Sequence, residues 1–240
     1  MLGKQPALAY IYLNTQSIRK LVWCVHMVDY FSAFKKPFQS VEKLLAGIFL
    51  GIIPFVSLAV SGYALKVAQN TLKKKNELPE WNNFGDLFIM GINVAIIGLV
   101  YFIPFTLLLF ALIGPAALNL IVSGKGSVVS SFAAAISFPN SVIMIGLAVV
   151  LVFFMPIALI RYAAKGDLNA AFDIGEITRI ALTQKYATTW VIFFVFGSII
   201  EIIFGYVPFI GSSISNFIIQ IVLMTLFAEV YSEIEKVKRR

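Results

Sequence analysis

Glu201 is the side chain with the sharpest chemical potential, because it is an acidic group deep inside an apolar stretch, four residues before Gly205. A carboxylate at a bilayer centre costs about 3 kcal/mol on insertion scales, so such a position suits a proton carrier, a cation ligand or a substrate contact. The competing reading places it near an outer interface, hydrated. Asn216 and Gln220 stand one helical turn apart in the last apolar stretch, and Asn93 lies in an earlier one. Their amides can hydrogen-bond between helices, which is packing glue as much as function. Glu201, Asn216 and Gln220 together make a candidate intramembrane polar site.

A second candidate lies in the most polar connection of the chain. Lys73, Lys74 and Lys75 precede the loop Glu77 to Leu87, and with Trp81 they are candidate contacts for anionic lipid or a cytoplasmic partner. The same loop has a structural account. Trp81 would anchor at headgroup level, Pro79 would fix the turn, and Asn83 or Asp86 would cap the following helix. Glu77, Glu80 and Asp86 beside three lysines read as a solvated, charge-balanced loop, and no metal or other cofactor is expected.

Hydrolytic chemistry finds no support in the remaining residues. No His-Glu-x-x-His pair, intramembrane aspartate pair or phosphate-cradling glycine loop is present, and no Ser-His-Asp set can form inside the apolar stretches. Gly124-Lys125-Gly126-Ser127 lacks the preceding spaced glycine and reads as a flexible turn. Cys24 and His26 are the single cysteine and histidine, too few for a zinc site or an internal disulfide. The chain is expected not to be an enzyme.

The elements that carry these residues are apolar. Hydrophobic residues make up 60% of the 240, charged residues 13%, and mean hydropathy is +0.90. Soluble domains carry about 25% charge, so a polytopic membrane protein is expected. The net charge of +7 is not a nucleic-acid footprint, because the positive residues sit at the ends of apolar segments, where the positive-inside rule puts them.

Residues 1 to 26 mix polarity with aromatic residues and are expected to form an interfacial or disordered leader, with 27 to 240 one integral membrane domain. Val41 to Leu72 is too long for one span, and Pro54 should turn it tightly at Ile53-Pro54-Phe55. Phe88 to Ile113 is expected to cross despite Pro104 and to end at Gly114-Pro115. Ala116 to Asn140 reads as an external loop with a shallow helix, and Val142 to Ile160 crosses back. Ala163 to Tyr186 has the spacing of an amphipathic helix in the interface plane. Thr188 to Gly205 and Ile214 to Tyr231 make a last hairpin.

The fold class expected is therefore all-α: a polytopic membrane bundle of six transmembrane helices in three hairpins, with interfacial amphipathic helices and both termini cytoplasmic. Of the 19 Lys and Arg residues, Lys125 alone would then lie outside. Five spans with an unbroken first helix is the alternative, and it would expose the N-terminal basic residues. Short phenylalanine-centred stretches before each hairpin, and Pro-Phe pairs at 54/55, 104/105 and 208/209, hint at an internal repeat of the kind transporters use.

Gly62-Tyr63-Ala64-Leu65, the lysine run, Glu77-Leu78-Pro79-Glu80-Trp81 and Phe84-Gly85-Asp86-Leu87-Phe88 resemble an uncharacterised membrane family. With Gly166-Asp167, Ala171-Phe172-Asp173-Ile174-Gly175-Glu176 and the turn near Pro208, the chain resembles the domain of unknown function 4013 family, widespread in archaea, over roughly Asp29 to Tyr231. The resemblance implies a multi-spanning membrane protein and carries no functional residues. A non-enzymatic scaffold, assembly or lipid-organising module is the leading expectation, with membrane lipids, a membrane-protein partner or a second copy as partners. The alternative is a small secondary transporter or channel subunit using Glu201.

Overall fold

The computed structural model describes residues 28–123, 129, 133, 137, 138, 140–208 and 210–238. The expected leader, the Gly124 to Ser127 turn with Lys125, and Phe209 lie outside the described residues. Every regular element among the described residues is helical.

The chain enters through a short helix, α1 (Tyr30–Lys35), capped by Asp29, whose side chain accepts from Ser32 N at 3.0 Å. A 3-10 turn, Lys36–Phe38, leads to α2 (Val41–Ile52), capped by Ser40. Pro54 cannot donate to a helix and forces Ile53 out of helical geometry. Ile53 is extended, Phe55 takes φ +67°, and α3 (Ser57–Leu72) begins at once. The break falls where the tight turn is expected. At 12 and 16 residues, α2 and α3 reach only about 18 and 24 Å, less than the ~30 Å hydrocarbon layer.

Among the described residues, four helices are long and apolar enough to cross a membrane: Phe84–Pro115 within α4 (Phe84–Ser123), α5 (Asn140–Lys165), α7 (Gln184–Phe204) and α8 (Gly211–Lys238). Contrary to the expected end at Gly114-Pro115, α4 runs through both Pro104 and Pro115. In an apolar setting a broken helix would strand several backbone groups, whereas a continuing one gives up little more than the bond each proline cannot make.

The segment expected as one amphipathic helix, Ala163 to Tyr186, is divided. Gly166 at φ +69° stops α5, Asp167 opens a 3-10 turn (Leu168–Phe172), Asp173 caps α6 (Ile174–Ala181), and Thr183 caps α7. Side-chain oxygens that bond nearby amides start new helices more readily than they extend an old one.

The core centres on α3 and α8. Two-thirds of the most apolar window of α8 is buried (67%), against 11% in α4 and in α7, so α8 is the central column. α3 lies against α4 at backbone contact, because a Cβ on Gly62 would overlap the Leu87 carbonyl and one on Gly91 would overlap that of Leu58. Small residues permit such approach where no hydrophobic difference drives helices together.

Candidate functional site

At the charged end of the bundle the last turns of α3, α5 and α8 converge on a cavity of about 650 Å³ walled by Lys73, Lys74, Lys165, Glu235 and Lys236. Helix C-termini carry partial negative charge, which lysines at these ends complement. Lys236 is also tied to Glu233 along its own helix. Among the described residues, no carboxylate lies within ion-pair distance of Lys73, Lys74 or Lys165. The cavity therefore has uncompensated positive charge. Lys74 reaches it from a left-handed backbone, φ +60°, that ends α3.

The other two members of that candidate set stand apart. Lys75 is exposed beside the cavity without walling it. Trp81 is half-buried, its ring stacked on Tyr63 at 4.0 Å and its Nε1 donating to the Lys43 carbonyl at 3.4 Å. Its loop is pinned as well. Lys43 Nζ donates to the Leu78 carbonyl at 2.9 Å and Glu80 Oε1 at 2.7 Å, and Tyr63 donates to the Pro79 carbonyl at 2.9 Å. Trp81 thus locks the loop to α2 and α3.

Sequence reasoning passed over the most buried charge at this end. Arg161 is 2% exposed, with Nε on the Ala170 carbonyl at 2.9 Å, Nη2 on Asp173 Oδ2 at 2.7 Å and Nη1 3.7 Å from Glu176 Oε2. Glu176 carries the network onward to Arg179 and Lys238, and Arg179 to Glu235. The hydrogen bond from Arg179, reinforced by that from Lys238, holds the Glu176 carboxyl below its usual range. The available signal was an arginine inside the last apolar turn of a span, with carboxylates 12 and 15 residues on. Lys36 is likewise buried, donating to Thr71 Oγ1 at 2.9 Å. Burial pushes its ammonium below the ordinary lysine range, against the pull of Glu229.

The intramembrane candidates are placed differently from one another. Glu201 is exposed near the end of α7, where its carbonyl accepts from Gly205 N at 2.7 Å. Asn216 and Gln220 are joined on α8, Gln220 Nε2 donating to Asn216 Oδ1 at 2.9 Å, and both wall a small cavity that Glu201 does not touch. Asn93 bridges α4 and α5 through the Tyr162 hydroxyl at 2.6 Å. No group of three metal-ligating side chains occurs among the described residues.

A helical bundle with four helices fit to cross a bilayer, closed at one end by a dense layer of charge, is the class of protein these features define. The chain belongs to the family described as protein of unknown function (DUF4013), which matches residues 45–228. That match includes Lys73 to Lys75, Arg161 and Glu201 and stops short of Lys236. No curated protein and no solved structure matches the chain.

Proposed function

We propose that the protein is a non-enzymatic, multi-pass integral membrane protein that gathers anionic lipid headgroups, as a scaffold or lipid-organising module, at its basic end. The supporting observation is the cavity of about 650 Å³ in which Lys73, Lys74 and Lys165 stand, among the described residues, without ion-paired carboxylates. An exposed lysine run is common at membrane surfaces. Three helix ends enclosing a concave space of that size are not required by topology alone, and a phosphate-bearing headgroup matches the space in charge.

In this reading the six long and short helices pair as three hairpins, α2 with α3, α4 with α5 and α7 with α8, both termini lying on the cytoplasmic side. Two observations support it. Lys43 at the start of α2 bonds the loop that follows Lys75, so both basic clusters share one end of the bundle. Ser213 at the start of α8 donates to the Ile48 carbonyl near the end of α2 at 2.6 Å, so the far ends of these helices lie at one depth. Short as α2 is, its turn then reaches as far as the α7–α8 turn.

Each cation near an anionic surface contributes about 1 kcal/mol, so replacing Lys73, Lys74 and Lys165 by alanine should weaken retention of phosphatidylglycerol by about two orders of magnitude while sparing phosphatidylcholine. Native mass spectrometry of the purified chain with each lipid reads this directly. Equal retention by the triple variant would remove the proposal.

A further inference from the structure

Two clefts meet on the side of the bundle, away from the basic end, and Asn216 in the wall of one is exposed. The larger, about 280 Å³, lies between α5 and α7 against Val152, Met155, Trp190, Phe193, Leu223 and Met224. The smaller, about 130 Å³, lies between α2, α3 and α8 against Ser57, Ser61, Ser213, Asn216 and Gln220. Ser61 and Gln220 belong to both walls. One chamber is oily, the next is polar, and among the described residues neither wall holds a charged side chain.

The opening follows from how α7 is held. α7 rests on α8 and meets α5 through Phe153, whose ring lies 5.2 Å from Tyr186 and 5.5 Å from Trp190, while Tyr186 donates to the Phe153 carbonyl at 2.5 Å. These contacts tie α7 to α5 beside the cleft, whose wall continues along α5 to Leu159. Val152 and Phe194 line the apolar chamber yet are 47% and 57% exposed, so its mouth faces the lipid layer.

We propose that the paired chambers bind an uncharged amphiphile, a lipid whose hydroxyl- or amide-bearing head sits among Asn216, Gln220 and Ser61 while its chain lies against Trp190 and Met224. The Gln220 to Asn216 bond at 2.9 Å uses one donor and one acceptor. Primary amides have more of each, so the Asn216 N–H groups and the Gln220 carbonyl remain able to bond a ligand. A plain alkyl chain would leave them unused. A carboxylate or phosphate head would leave water with no opposite charge to meet it. At about 30 Å³ per water-sized group, the apolar chamber holds about nine such groups, the bulk of a medium-length chain.

The proposal rests on the membrane reading above but not on the basic cavity, and the test separates the two. Trp190 serves as the reporter, because a bromine-bearing chain beside it quenches its fluorescence. The full chain in detergent is titrated with a monoacylglycerol brominated along a ten-carbon chain and, at pH 8, with the fatty acid of the same brominated chain. Saturable quenching by the neutral lipid, absent in Trp190→Phe and at least tenfold weaker for the fatty acid, is expected. Gln220→Leu should weaken the monoacylglycerol at least tenfold, and Lys73→Ala with Lys74→Ala should leave it unchanged. Non-saturable quenching, equal potency of the two heads, or full affinity in a folded Gln220→Leu protein would overturn it. The head comparison on the unaltered chain decides even if that variant does not fold.

Discussion

Arg161 gives up nearly all of its hydration, which its planar fork recovers by bonding a carbonyl and a carboxylate at once. Arg161→Met should therefore lower stability by about 2–4 kcal/mol, since Asp173 and the Ala170 carbonyl lose their partner. Arg161→Lys should recover only part of that, because a lysine keeps the charge without the fork. Thermal unfolding in detergent measures both, and equal melting of the parent and the methionine variant would contradict the account. Glu201 makes the opposite case. Exposed and outside both chambers, it should tolerate Glu201→Gln within about 0.5 kcal/mol of stability. The transport alternative asks more of it, namely a proteoliposome flux that the same substitution abolishes.

The α3–α4 pair depends on two reciprocal glycines, so Gly62→Ala and Gly91→Ala should each cost about 1–3 kcal/mol, the methyl meeting a carbonyl that cannot swing aside. Gly85→Ala is the control, since nothing lies within 4 Å of its Cβ position and alanine favours helix. It should leave the melting temperature level or raise it. α6 buries Ile177, Ile180 and Ala181 and is tied down on its other side by charge. Glu176 has its folded-state pKa lowered by Arg179 and then Lys238, so its contribution is complete above the unfolded value, about 4.3, and disappears as pH falls through the lower folded value. Hydrogen exchange in α6 should then be protected equally at pH 7 and 5 and lose protection only below about 4. Loss already between 7 and 5 would point to another group.

The arrangement of the whole molecule is open to surface labelling. In a Cys24→Ser background, cysteines replacing Lys43 and Lys73 should react with an impermeant maleimide from one face of sealed vesicles, and one replacing Phe55 from the other. Phe55 is 79% exposed at the apex of the α2–α3 turn, so access is not limiting. Labelling of Lys43→Cys and Lys73→Cys from opposite faces would leave five spans and undo the reading of α2 and α3 as a hairpin.

Hydropathy and charge placement sufficed for the helical class, the break at Pro54 and the last two long helices, because these follow from local composition and from what proline and lipid each forbid. The chain's own residues could not reveal that Pro104 and Pro115 leave α4 unbroken, or that Asp167, Asp173 and Thr183 divide the amphipathic stretch. Those outcomes depend on competition between a helix and its caps. Nor could spacing along the chain show that Lys73 and Lys74 join Lys165 and Lys236, that Arg161 is buried, or that Gln220 stands where an oily and a polar chamber meet. Each is a contact between helices far apart in sequence, and only packing around α8 brings them together.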